Sequence, residues 1–225
     1  HLSSRRQRQM CIRDSITGIY TVASGDNVRN VDAGFYQLGR LGDRVWEDTN
    51  GDGLQNDGVT GLVGVTVRLL DGLGTEVTTT ITGADGFYEF SGLTPGDYSV
   101  SVAPAGYIAT TRNAGANANE ATDSDVNAIG LSDTFNLDSG ENEPGVDAGF
   151  YRGAKLGGTL FADVNGDGRQ GGPGEGGISG RLVQLLDSLG NATGRTTFTD
   201  ASGNYLFDTL APGAYSVRFV PDAAM

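Results

Sequence analysis

The 225-residue chain holds one histidine, one cysteine, one lysine and one tryptophan. His1 and Cys11 both lie in the first fifteen residues, so 16–225 contain neither type. That removes Ser-His-Asp and Cys-His nucleophilic systems and histidine-ligated zinc from the body of the chain. Only carboxylate chemistry remains. A glycosidase-type pair such as Asp43 with Glu47 is formally available, but no neighbouring sequence suggests the raised pKa that a general acid needs, and no enzyme is expected. Long apolar runs are missing too: none approaches the roughly 18 residues that span a bilayer, and no secretory signal is present. Any export signal or anchor is therefore expected outside this segment.

Positive charge is scarce. The chain has 28 Asp+Glu against 15 Lys+Arg, a net charge of −13, and residues 41–152 alone carry 18 acids against 4 arginines, a net −14. Such a surface repels phosphate backbones and favours hard cations, so nucleic acid is excluded as a partner. Residues 1–15, "HLSSRRQRQMCIRDS", run against this pattern with four arginines. "RQMCIRDS" resembles a translated sequencing-adapter artefact, and 1–15 is read as a non-native tail outside the fold.

What is abundant is glycine, 37 residues of it, which supplies the backbone conformations that tight turns need. With 37% hydrophobic residues to fill cores, this predicts many short strands. Val65, Val67 and Leu69 alternate with Thr66, Arg68 and Leu70. Tyr88 and Phe90 alternate with Phe87 and Glu89, and Tyr98, Val100 and Val102 follow the same period of two. Turn signals separate them: "DGLG" at 71–74, "ADG" at 84–86 and "TPGD" at 94–97. In the last, Tyr98 is placed either as an ordinary core residue or as a tyrosine corner returning its hydroxyl to nearby backbone. Most aromatics fall on core positions, with Trp46 the expected exception.

The sequence also repeats. "SGDNVRNVDAGFY" (24–36) returns as "SGENEPGVDAGFY" (139–151), and "LGDRVWEDTNGDGLQ" (41–55) as "LGGTLFADVNGDGRQ" (156–170), both offset by 115. "GFYEFSGLTPGDYSV" (86–100) returns as "GNYLFDTLAPGAYSV" (203–217), offset by 117. The chain divides into the C-terminal piece of one repeat (16–40), a complete repeat (41–152) and the first part of another, truncated one (153–225). The truncated copy should expose open sheet edges, and the whole is read as a fragment of a longer array. About seven strands per unit suit a β-sandwich.

The loop "DTNGDGLQNDG" (48–58) places Asp48, Asn50 and Asp52 at alternate positions with Gly53 next. Calcium takes six to eight oxygens at 2.3–2.6 Å, and D-x-N-x-D-G lets alternate side chains converge while glycine makes the bend. On that template Leu54 offers its carbonyl, and Gln55 to Asp57 add ligands directly or through water. The loop recurs as Asp163, Asn165, Asp167 and Gly168, with Arg169 at the position of Leu54. The competing reading is that Asn50-Gly51 and Asp52-Gly53 are turn dipeptides alone. At the twelfth position, where a bidentate glutamate closes an EF-hand cage, the complete repeat has Val59. One extra residue in the later loop brings Glu175 to that place.

Taken together, "LGDRVWEDTNGDGLQ", "GVTVRLLD", "DGFYEFSGLTPGDYSV", "ATDSDV" and "VDAGFY", in that order, resemble the SdrD B-like domain, the repeated module in the stalks of bacterial cell-surface adhesins. They are similar to the wider Cna-B and carboxypeptidase-regulatory-like sandwiches. The resemblance covers essentially all of 16–225 and implies an all-β chain of tandem Greek-key-type, prealbumin-like β-sandwich repeats. It implies a secreted or cell-wall-attached extracellular stalk that binds calcium. Its partners would be neighbouring repeats of the same chain and, through other regions, host or matrix proteins. It also implies ligands at Asp123 and Asp125, set against a solvated acidic loop, with Asp147 and Asp32 as weaker candidates. The Lys–Asn staple of Cna-B stalks is excluded in 41–152, because Arg40 occupies the place of Lys155. The alternative function is a binding module that recognises protein or carbohydrate through its loops.

Overall fold

The computed structural model describes residues 18–29, 31–58, 61–114 and 122–220. The sole helical element among them is a single 3-10 turn, Ala84–Gly86; all other regular structure is strand. The complete repeat contains β1 (Gly39–Glu47), β2 (Thr66–Asp71), β3 (Glu76–Ile81), β4 (Phe87–Leu93), β5 (Gly96–Val102), β6 (Ile108–Ala109), β7 (Phe135–Leu137), β8 (Asn142–Glu143) and β9 (Ala148–Tyr151). One sheet runs β4-β1-β9-β6, with β8 also against β1; the facing sheet runs β3-β2-β5-β7. β1 pairs antiparallel with β4 but parallel with β8 and β9.

The alternation read from sequence is what joins the two sheets. Val67 and Leu69 of β2 and Val100 and Val102 of β5 are buried, as are Tyr88 and Phe90 of β4, and all six share one core with Leu41, Val45 and Phe150. Thr66, Arg68, Phe87 and Glu89 face outward. Each fully buried Val or Leu contributes about 1.5–3 kcal/mol, so this face of β2 and β5 fixes the register, which a one-residue slip would reverse. Tyr88 and Phe90 meet edge to face with centroids 5.9 Å apart.

The turns are held by side chains. Asp71 accepts from the amides of Leu73 and Thr75, and Asp187 does the same for Leu189 and Asn191. The Tyr98 hydroxyl donates to the Thr94 carbonyl at 2.9 Å across the Pro95-Gly96 turn, which makes it a tyrosine corner. Trp46, expected to be exposed, is buried at 3%. Its ring lies over Gly149 in the neighbouring β9, where a side chain would come within 2.6 Å of the indole. The register that brings a glycine beneath it involves residues a hundred positions away.

The following repeat reproduces the plan with β10 (Ala154–Thr159), β11 (Leu182–Leu186), β12 (Ala192–Phe198), β13 (Asn204–Leu210) and β14 (Ser216–Phe219). β10 pairs with β13 as β1 does with β4, and β12-β11-β14 match β3-β2-β5. A smaller core gathers Val183, Leu185, Phe207 and Leu210. The Tyr215 hydroxyl reaches the Ala211 carbonyl at 3.1 Å, repeating the corner at Tyr98.

Candidate metal centres

The loop after β1 is wound around its own carboxylates. Asp48 is fully buried; one oxygen accepts from the Gly51 amide at 2.7 Å, the other from the Gly53 amide at 2.8 Å and the Thr110 hydroxyl at 2.5 Å. The Asn50 oxygen takes the Asp52 amide, and Asp52 takes the Leu54 amide. Asp52 is mostly exposed: its slight burial raises its pKa, but donors from Asn56, Leu54 and Asn50 outweigh this and hold it below the usual carboxylate range. Asp57 folds back to accept from the amides of Thr49 and Asn50 at 2.7 and 3.1 Å. Gly53 turns at φ +84°, with the Thr111 carbonyl so near that a side chain would clash at 2.4 Å. Strands, not helices, lead into this loop. Val59 lies outside the described residues.

The later loop has the same wiring. Asp163 accepts from Gly166 and Gly168, Asn165 from Asp167, and Asp167 from Arg169. Here a third carboxylate arrives: Glu175, buried at 8%, takes the amides of Gly171 and Gly172. Asp163, Asp167 and Glu175 bring one oxygen each within 4.8 Å of one another. Oxygens around a cation at 2.3–2.6 Å lie no farther apart than about 5 Å, so this group is spaced to share one ion. Among the described residues it is the one acidic triad so gathered; the carboxylates of the first loop do not come together in this way.

The stretch at 122–126 is not a solvated loop. Asp123 and Asp125 are 2% and 4% exposed. Backbone pairing ties the stretch to the first loop: Leu54 bridges Asp123, and the Gln55 amide donates to the Thr122 carbonyl at 2.8 Å. Asp123 is pushed above the usual range by burial, and its Oδ2 meets no donor among the described residues. The Asp125 carboxylate accepts from the Asp147 amide at 2.6 Å.

Asp147, weak on sequence grounds, is the most perturbed of the set. It is fully buried, and neither carboxylate oxygen has a hydrogen-bond donor among the described residues. Burial, with Asp43 and Asp125 close by, pushes its pKa up to about 8; the Gln55 amide and the Arg44 backbone favour the ionised form only from outside hydrogen-bond geometry. The Tyr88 phenol, buried and donating to the Val146 carbonyl, is raised first by burial and then by Asp147, Asp125 and Asp43. Asp43 is itself raised by burial, partly offset by Arg44, against the expectation from sequence. It serves this buried group, whereas Glu47 is engaged with Arg152 and Tyr107, so the two make no acid–base pair. Asp32 is exposed. A cluster of buried carboxylates in which Asp147 has no donor to either oxygen among the described residues is costly unless a cation or protons neutralise it, and an all-oxygen donor set fits a hard cation.

The fold and these loops define a class: tandem β-sandwich modules with acidic loops at the strand ends. The family model of the SdrD B-like domain matches residues 39–150 and 154–225, and the chain belongs to that family. It is 43% identical over 203 residues to serine-aspartate repeat-containing protein F of Staphylococcus epidermidis, covering 88% of this chain and 11% of that one. It is 41% identical over 216 residues to serine-aspartate repeat-containing protein C of Staphylococcus aureus strain N315, covering 95% of this chain and 21% of that one. The chain thus spans between a tenth and a fifth of these relatives. Among solved structures, BcpA, the major pilin subunit of Bacillus cereus, aligns at 12% identity and a TM-score of 0.35 over 81% of this chain and 88% of that one. Family membership makes the chain a non-enzymatic repeat of extracellular bacterial surface proteins.

Proposed function

We propose that these repeats are spacer modules of a surface adhesin and that calcium rigidifies them, holding a distal ligand-binding region away from the cell. The observation that carries the reading is the carboxylate chemistry. Asp163, Asp167 and Glu175 converge to within 4.8 Å, and Asp147 is buried with both oxygens unbonded beside Asp125. In the later loop the ion would be held by Asp163, Asn165, Asp167 and Glu175 with the Arg169 carbonyl. In the complete repeat it would be held by Asp48, Asn50, Asp52 and Asp57 with the Leu54 carbonyl, and by Asp123, Asp125 and Asp147. Bound calcium supplies positive charge among carboxylates that otherwise repel; the chain's residues supply oxygens and a fixed loop shape.

In the complete repeat Trp46, Tyr88, Phe90, Tyr98 and Phe150 are buried and the exposed Phe87 lies on β4, which favours the spacer over the alternative, a loop-borne carbohydrate or protein site. The test is a thermal melt of the chain in millimolar calcium and in chelator. Extracellular modules bind at about 10⁻⁴–10⁻³ M, and binding to the folded state alone stabilises it by mass action. Calcium is expected to raise the melting temperature. Superimposable melts would end this reading.

A further inference from the structure

The connection between the two repeats is two residues long: β9 ends at Tyr151 and β10 begins at Ala154. Both linker residues are engaged. The Arg152 guanidinium lies 3.5 Å from Glu47, donates to the Tyr107 hydroxyl at 2.7 Å and stacks over that ring at 4.9 Å. At Gly153 a side chain would come within 2.8 Å of Thr209 Cα and 3.3 Å of Ile108 Cδ1, so the repeats touch across it.

A second contact lies beside the linker. The tip of the first acidic loop, Gly51, faces the Pro-Gly turn of the following repeat: a side chain at 51 would sit 3.0 Å from Pro212 Cδ and 3.3 Å from its carbonyl. Tyr151, at the end of β9, feels Tyr215 and Arg195 of the following repeat and Asp48 of its own loop, after burial, in its raised pKa. Arg195 in turn donates to the carbonyls of Asp208 and Thr209, bracing the strand that leads into the turn.

Repeat equivalence then identifies the open halves of the same contact. Pro95-Gly96 is the counterpart of Pro212-Gly213, and Asn165-Gly166 that of Asn50-Gly51. Pro95 is exposed, and a side chain at Gly166 would meet nothing within 4 Å.

We propose that consecutive repeats dock head to tail, the acidic loop of one seated against the proline turn of the next, and that calcium in the loop stiffens this joint. The partner for Pro95 and for the loop around Gly166 is therefore another copy of the same repeat. A two-residue tether keeps that partner within reach, and a loop held rigid by an ion loses little further entropy on docking. The stiffening rests on the calcium reading above; the docking does not.

The test uses the full chain, with spin labels at Thr79→Cys and Thr196→Cys in a Cys11→Ser background. Thr79 and Thr196 are exposed strand positions, one in each repeat. The inter-label distance distribution is measured by pulsed electron spin resonance with calcium and with chelator, and calcium uptake by calorimetry. The expected result is a narrow distribution in calcium that broadens in chelator. Pro212→Asp, which sets a carboxylate against the acidic loop, loses the narrow peak while still taking up calcium. Pro95→Asp, the same change in the unseated turn, leaves the distribution as in the wild type and controls for damage to the turn itself. Equal widths in wild type and Pro212→Asp overturn the docking. Equal widths with calcium and with chelator, where calorimetry shows binding, overturn the stiffening. Calorimetry that detects no calcium overturns the reading of the previous subsection instead.

Discussion

Replacing Asp147 by Asn should change stability in opposite directions with and without calcium. Asp147 is fully buried, has no donor to either oxygen among the described residues, and is raised from 3.8 to about 8. A carboxylate whose folded pKa is raised binds a proton on folding. The stability it costs is therefore absent below the unfolded pKa and grows as pH rises from about 4 toward 8, where the native group finally ionises. At pH 7 the native side chain is protonated and the unfolded one is not, a gap of about three pH units. At about 1.4 kcal/mol per unit, this is a penalty of roughly 4 kcal/mol as a ceiling. Asn carries no charge to desolvate, so in chelator at pH 7 the variant should melt higher, by up to roughly 10–20 °C for a domain of this size. The advantage should shrink toward zero at pH 4. In saturating calcium the order reverses, because the wild-type carboxylate is then a ligand and the amide a weaker one. Calorimetric melts at pH 4, 5.5 and 7 with and without calcium decide it. A variant less stable than wild type in chelator at every pH would refute the argument that the carboxylate is strained.

Glu175→Gln removes one of three converging carboxylates and should weaken calcium binding in the later loop about tenfold or more, read by isothermal titration, with little effect on the melt in chelator. Tyr98→Phe deletes the hydroxyl bond to Thr94 and should cost about 1 kcal/mol without altering calcium affinity, measured by denaturant unfolding.

The β-sandwich was legible because it rests on local pattern: Val67 and Leu69, or Tyr88 and Phe90, declare the buried face within a few residues. The loops were legible for the same reason, since Asp163, Asn165 and Asp167 lie within five positions and Glu175 follows close behind. Less legible was whatever long-range pairing decides. Trp46 is buried by a glycine in β9, and the Thr110 hydroxyl that completes the shell of Asp48 carries no local signal. Asp147 looked minor as one acid before "AGFY", yet β9 pairing brings it beside Asp125, while β1 delivers Asp43. Its neighbours could not be inferred until the sheet was closed.

The pairing of β1 with β9 also settles how the repeat meets a pulling force. The chain enters through β1 and leaves through β9, and these strands lie side by side and parallel, with Val45 against Ala148 and Glu47 against Phe150. Tension on the two ends drags them past each other along their length, so the hydrogen bonds between them are loaded in shear and must yield together. An antiparallel entry and exit pair would open one bond at a time, like a zip. A tether assembled from such units would carry drag in shear at every link, and in 41–152, which contains no lysine, would do so without a Lys–Asn staple.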